Sequence, residues 1–250
     1  MKINTALIDR PEEFLRAFNT GIERLERHPC SVCRVKPPIP RDHFHGSDWG
    51  KCRSMILYER LTGIKEQMTP QKQSFLRDGH LHEASIVSAL RAAGVTLTDT
   101  AETNPEEIHH TGVDTPAGRV IFSTIIHTDG VIVGHNKRIL CECKSVKDYA
   151  WKTKFCKGII PETYYGQCQA YMHFKGLDGA LLFVKNRHTS ELMIPFYIHP
   201  DPEYIEGKTV ELAAVTHAIS NRIIFPRPVE KKTRRDSECL YCMFKQQCWL

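Results

Sequence analysis

Apolar and β-branched residues crowd the middle of the chain, at 119–124, 125–133 and 138–143, and predict three strands in succession. Gly134-His135-Asn136-Lys137 supplies a turn between the last two, so the run reads as a β-meander. On either side the periodicity changes to that of helices. Thr69 is placed to N-cap a helix with Pro70 at its first position, running to about Ala93 before Gly94 ends it. A second helix is expected over 161–174. An apolar strand at 180–184, a turn at 186–190, a strand ending at Ile198 and a helix over 202–221 follow. An earlier helix is expected over 11–27.

Alternation along the third strand of the meander separates its side chains by chemistry. Glu142 and Lys144 share one face, while Cys141 and Cys143 share the other and pack as small hydrophobes. Asp129 lies one strand and a turn upstream. An acid followed by acid-x-Lys provides carboxylates for a hard divalent cation and an ammonium that positions water or offsets charge on a phosphorane. The competing reading of Glu142 and Lys144 is a solvated charge pair. On the 161–174 helix, Gln167 and Tyr171 are four apart and share a face; alone, Tyr171 would read as a half-buried aromatic.

The run Tyr164-Tyr165-Gly166-Gln167-Cys168-Gln169-Ala170-Tyr171, following Asp129 and Glu142-Cys143-Lys144 in order, resembles the Gln-x3-Tyr motif of RecB-like nucleases in the PD-(D/E)XK superfamily. That resemblance implies an α/β core, with a central mixed sheet flanked by helices. It also implies a catalytic set of Asp129, Glu142, Lys144, Gln167 and Tyr171. Asp129, Glu142 and the backbone carbonyl of Cys143 would hold Mg²⁺ or Mn²⁺. The superfamily carries Gly-x3-His or Gly-x3-Glu on a preceding helix. Here Gly79 plus four is Glu83, and His82 falls one residue early. Leu76, Gly79, Glu83, Ile86, Val87 and Leu90 form a stripe at helical spacing, which turns Glu83 inward, where a carboxylate needs a cation. Glu83 is the favoured third metal ligand and His82 its rival; His80 is read as a surface or supporting residue.

Cysteines make a second pattern. Cys52, with the terminal Cys239-x2-Cys242-x5-Cys248, resembles the four-cysteine iron–sulfur nucleases, including the CRISPR-associated Cas-four family and related viral exonucleases. The residues themselves suit iron–sulfur or zinc. The resemblance implies an iron–sulfur cluster, [4Fe-4S], in a subdomain joining the two ends of the fold. Cys30 and Cys33 form a separate knuckle that could take Zn²⁺ with His43 or His45, at a spacing unlike an ordinary zinc finger. Cys156 and Cys168 are read as packing residues. With ten cysteines and no secretory signal, reduced thiols are expected in preference to disulfides.

Composition narrows the setting. A chain of 250 residues, 41% hydrophobic, can bury a full core. It lacks an apolar run long enough to span a membrane, and neither repeats nor low-complexity tracts occur. The expected location is cytoplasmic. Residues 1–45 read as an appended helix and cysteine knuckle, and 46–250 as the nuclease domain. Net charge is +5. The cations of Lys231, Lys232, Arg234 and Arg235, and the interleaved Trp151, Lys152 and Lys154, are candidates for phosphate contact and base stacking on DNA. Taken together these features imply a metal-dependent DNA exonuclease acting on single-stranded ends, in recombination, repair or CRISPR-type processing. Recombination or CRISPR-adaptation proteins are its candidate partners. The rival is a catalytically silent iron–sulfur DNA-binding or adaptor protein.

Overall fold

The computed structural model describes residues 43–64, 69–100, 103, 106–134, 136–225, 237–240 and 242–249. The chain enters at β1 (His43–His45), turns through a 3₁₀ helix (Gly46–Gly50), and continues into α1 (Arg53–Thr62) and α2 (Pro70–Ala92). Strands β2 (Leu97–Thr98), β3 (Glu107–Thr115), β4 (Gly118–Ile126), β5 (Gly130–Gly134) and β6 (Lys137–Val146) follow. Then come α3 (Asp148–Thr153), α4 (Glu162–Lys175), β7 (Gly179–Asn186), β8 (Phe196–Ile198), α5 (Pro202–Asn221), α6 (Ser237–Leu240) and α7 (Lys245–Cys248).

Two mixed sheets form, in place of the one central sheet and continuous meander expected. The first has the order β1-β4-β3, with β1 parallel to β4. The second has the order β2-β5-β6-β7-β8, with β6 and β7 parallel and its other pairs antiparallel. The break falls inside the expected 125–133 strand. Pairing with β3 stops at Ile126, and pairing with β6 begins at Gly130 opposite Cys141. Between them Thr128, fully buried, donates its hydroxyl to the Asp99 carbonyl at 2.9 Å and draws the chain out of the first sheet. The extension expected over 1–45 also loses its last three residues to the core, because His43–His45 pairs with β4 and Phe44 is fully buried.

Three apolar clusters hold the sheets to the helices. α4 covers one face of the larger sheet, where Cys168, Tyr171 and Met172 pack with Val131, Leu140, Leu182 and Val184. α2 covers part of the other face, where Ile86 meets Cys141 and Phe183, with Leu90 and Cys143 alongside. The smaller sheet packs through Phe44 and Phe122 against Trp49 and the buried faces of α1 and α5. The helix boundaries follow local chemistry. Thr69 accepts the Lys72 N–H at 3.2 Å ahead of Pro70, and Asp201 accepts the Tyr204 N–H at 3.0 Å ahead of Pro202. Among the described residues no helix is long and apolar enough to cross a membrane.

Candidate active site

The residues that converge are set by strand alternation. Gly130 pairs with Cys141 and Val131 with Leu140, so Asp129, one step before β5, lies opposite Glu142 on the face covered by α4. The Asp129 Oδ2 accepts the backbone N–H of Cys143 at 2.7 Å, which ties the entry of β5 to β6. Lys144, two along β6 from Glu142, donates to Glu142 Oε1. Glu142 is fully buried, so the pair is no solvated surface bridge; Lys144 retains 21% exposure. The other carboxylate oxygen, Glu142 Oε2, is buried with no hydrogen-bond partner. Cys141 and Cys143 point to the opposite face, 4.0 Å apart at sulfur, as expected of packing thiols.

Charge at this site is unbalanced. Burial raises the Asp129 pKa well above the usual carboxylate range, and the neighbouring Glu142 and Glu83 carboxylates add to the shift. Burial raises Glu142 as well, against the pull of Lys144. For Lys144 burial opposes the charge, but Glu142 and Asp129 outweigh it and hold the ammonium more firmly than in water. Three acidic groups therefore share one cation. That surplus, with an orphaned carboxylate oxygen among hard oxygen donors, fits a divalent cation. Among the described residues, however, no three His, Cys, Asp or Glu side chains already stand as a metal-holding group.

α4 supplies the roof. The Gln167 Nε2 donates to Tyr171 Oη at 3.0 Å, as their spacing led one to expect. Burial first, then Glu142, raises the Tyr171 pKa, so the ring remains a neutral phenol. The helix reaches the site because two glycines let backbones touch. A Cβ on Gly50 would sit 2.2 Å from the Glu162 carbonyl, and one on Gly166 would sit 2.6 Å from Gly50 Cα. A Cβ on Gly46 would strike the Tyr171 ring at 2.1 Å, so this glycine sets how deep the ring lies. The result is a cleft of about 320 Å³ lined by His45, Ser47, Ile125, His127, Asp129, Gln167 and Tyr171.

His127 and Ser47 are functional candidates that sequence reasoning missed. His127 lies two residues before Asp129 in the segment between β4 and β5, and both line the cleft. Ser47 reaches the cleft only because β1 runs parallel to β4. His45, expected in a zinc knuckle, lines this cleft instead of standing apart from the acidic cluster. Its proposed companions Cys30 and Cys33 lie outside the described residues, and His43 is half-buried in β1.

On α2 the two rivals separate. The Glu83 charge bears on both Asp129 and Glu142. His82, in contrast, stands in the field of Lys185, Asp78 and Arg187. His80, 43% exposed at its side chain, has Nδ1 3.6 Å from Glu83 Oε2. The predicted inward stripe holds only in its second half. Ile86 and Val87 are buried, but Leu76 is 55% exposed because the first turns of α2 run past the sheet, and a Cβ on Gly79 would meet nothing within 4 Å.

In the expected DNA-contact run after β6, the stacking ring is corrected. Trp151 and Phe155 are buried in the core cluster under α4 and offer no ring for a base, because their spacing on α3 and the following turn points them inward. Lys152 is exposed and ion-paired to Asp148 at 2.7 Å, and Lys154 is half-buried. Lys231, Lys232, Arg234 and Arg235 lie outside the described residues.

The four cysteines occupy two segments that meet. Cys52 is the N-cap residue of α1, and the C-terminal segment packs on that helix. Tyr58 stacks on Phe244 with centroids 5.7 Å apart, and its hydroxyl donates to the Gln247 carbonyl at 3.3 Å. Cys239 is buried, Cys242 and Cys248 half-buried. Cys248 lies close enough to add to the burial that raises the Tyr58 pKa.

No family model matches the sequence, and no curated protein matches it. Among solved structures the chain is similar to SSO0001, at 15% identity over 95% of each chain with a TM-score of 0.51. It is also similar to LHK-Exo, an alkaline exonuclease from Laribacter hongkongensis, at 16% identity over 73% of this chain and 90% of that one, TM-score 0.49. The same enzyme in complex with dAMP matches at 17% identity over 72% and 89%, again with a TM-score of 0.49. At 15% identity the likeness to SSO0001 is one of fold.

Proposed function

We propose that the chain is a metal-dependent deoxyribonuclease that hydrolyses phosphodiester bonds exonucleolytically at single-stranded ends, in DNA recombination, repair or CRISPR-type processing. The observation that carries this reading is Glu142. It is fully buried, bonded through one oxygen to Lys144, orphaned at the other, and faced by Asp129 across the strand pair. A structural ion pair has no use for a second carboxylate and an unpartnered oxygen in the same place.

Asp129 and Glu142 would hold Mg²⁺ or Mn²⁺ with Glu83 and the carbonyl of Cys143. Bound there, the ion would polarise a phosphodiester and lower the pKa of a coordinated water. Lys144, kept as ammonium, donates hydrogen bonds to the attacking water and offsets charge gathering on the phosphorane. Gln167 steadies the Tyr171 hydroxyl, and the neutral phenol closes the cleft without adding negative charge. Digestion of end-labelled single- and double-stranded DNA with Mg²⁺, Mn²⁺ or EDTA tests the reading. Metal-dependent release of nucleotides from single-stranded ends is expected, and no cleavage with either metal would leave the adaptor reading in its place. Glu83→Ala is expected to lose more activity than His82→Ala; the reverse order would move the third ligand to His82.

The same proposal includes a [4Fe-4S] cluster on Cys52, Cys239, Cys242 and Cys248. Four thiols drawn from both ends of the chain suit it, and the Tyr58–Phe244 stack brings their two segments together. The cluster's role would be to staple the ends of the fold, away from the hydrolytic chemistry.

A further inference from the structure

Several of the described cations are matched to acids: Lys51 and Arg60 to Asp48, Lys144 to Glu142, Lys152 to Asp148, Lys175 to Asp99 and Glu107, Lys208 to Glu162 and Glu211. Others are not, and three of those, Lys147, Lys185 and Arg187, gather where β6 and β7 end; among the described residues none of the three is ion-paired to a carboxylate.

One aromatic ring and one serine hold Lys147 and Arg187. The Arg187 guanidinium lies 4.8 Å from the centre of the Phe75 ring on α2, and the Lys147 ammonium 5.6 Å from it. The Arg187 Nε donates to Ser145 Oγ at 3.1 Å and its Nη2 to the Ser145 carbonyl at 3.0 Å, which fixes the guanidinium and leaves Nη1 to donate outward. Lys185 and Arg187 both bear on His82, two turns along α2 from Phe75, with Asp78 the acid beside it. Like charges held this close repel one another, and an anion placed among them relieves that repulsion.

The cluster's place relative to the carboxylates is set by the same two elements. Ser145 is the next residue after Lys144 on β6, and His82 immediately precedes Glu83 on α2. The cations therefore stand at the catalytic end of the larger sheet, on the α2 side of β6, while Glu142 and Lys144 face α4.

We propose that Lys147 and Arg187, steadied by Phe75 and Ser145, together with Lys185 beside them, bind the phosphodiester backbone of a nucleic-acid strand that passes the Asp129–Glu142 site. The inference rests on the nuclease reading for the nature of the ligand. It replaces Trp151, Lys152 and Lys154 as the nucleic-acid contact. Because Arg187 is fixed through two bonds and Lys147 and Lys185 are flexible point charges, contacts are to phosphate oxygens and carry no base preference.

Anisotropy titrations of fluorescein-labelled oligothymidylate and oligouridylate, about 20 nucleotides long, test this in EDTA over a KCl series. Wild type, a Lys147→Gln/Lys185→Gln double variant, Arg187→Gln, and the control Lys152→Gln are compared at matched helix content. Each lost phosphate contact removes about 0.7 from the slope of log affinity against log salt, so the double variant loses about 1.4. At low salt its affinity falls about tenfold or more, equally on both oligonucleotides, and the control keeps the wild-type slope. Wild-type slope in the double variant overturns the inference. A loss confined to Arg187→Gln also overturns it, since only the Ser145 anchor would then matter, as does a loss confined to one sugar type or a wild type that binds neither strand. Should wild type cleave DNA while the double variant binds like wild type, the inference falls and the nuclease reading stands. With cluster-dependent binding but no cleavage, the phosphate-binding inference stands and the nuclease reading falls.

Discussion

Asp129 costs stability at the place where the proposed chemistry needs a carboxylate. Its folded pKa lies above the unfolded value, chiefly through burial, so the folded state binds the proton more tightly. Below the unfolded pKa both states are protonated and nothing is lost. As pH rises from that value toward the folded one the unfolded state gives up its proton while the native state keeps it, so stability falls, and the loss persists at neutral pH. Asp129→Asn keeps an oxygen for the Cys143 N–H and removes the charge. Its melting temperature at neutral pH is expected to exceed that of wild type, with the difference closing below about pH 3.5. Cleavage should fall roughly 100-fold or more, and Mg²⁺ should raise the melting temperature of wild type but not of the variant. Thermal unfolding across a pH series, with and without the ion, reads the stability effects, and the end-labelled digestion reads the cleavage. A variant that melts below wild type at neutral pH would refute the account of Asp129 as a strained group.

Between elements, the approach of α4 to the 3₁₀ helix decides whether Gln167 and Tyr171 reach the carboxylates. Gly166→Ala would put a methyl 2.5 Å from the Tyr204 hydroxyl and 2.6 Å from the Gly50 backbone. The expected cost is about 1–3 kcal/mol in urea unfolding, with lower cleavage because α4 must move. Gly79→Ala is the contrast. Its Cβ meets nothing within 4 Å, and replacing an interior helix glycine is expected to stabilise by about 0.5–1 kcal/mol. Equal effects of the two changes would show that backbone approach is not what positions α4. At α5 the Asp201 carboxylate is held below its usual pKa by the Tyr204 N–H and the Tyr165 hydroxyl, which donates to it at 2.7 Å. That contribution is complete above the unfolded pKa and is lost as pH falls through the lower folded value. Asp201→Ala should therefore lower the melting temperature at pH 7, and the gap should shrink in strong acid. A gap independent of pH would assign the residue a packing role only.

Across the whole molecule, α1 and the C-terminal segment form a clasp through Tyr58 and Phe244. A cluster spanning Cys52 and the terminal cysteines would lock that clasp, since metal-binding energy is also folding energy. Protein purified without oxygen is expected to be brown, with about four irons per chain. Cys52→Ala and Cys248→Ala should lose both colour and stability, whereas Cys168→Ala, on the buried face of α4, should stay brown. Colourless protein with stoichiometric zinc and no iron would remove the iron–sulfur assignment without touching the carboxylate site.

Local chemistry alone determined much of this architecture. Thr69-Pro70 and Asp201-Pro202 start helices where their caps and prolines require, and the period-two alternation of β6 assigns Glu142 with Lys144 and Cys141 with Cys143 to opposite faces. The i, i+4 spacing likewise pairs Gln167 with Tyr171. Such features depend on neighbours within a few residues, which is why they are legible in the order of the residues. Only the tertiary structure decided that the strand run splits into two sheets at Thr128, and that His45 and Ser47 come to the cleft through β1. It also turned Trp151 inward. Each of these depends on a partner far away in the chain: Asp99 for Thr128, β4 for β1, and the α4 core for Trp151. A hydrophobic pattern states which side chains leave water, and long-range packing selects the neighbours they leave it for.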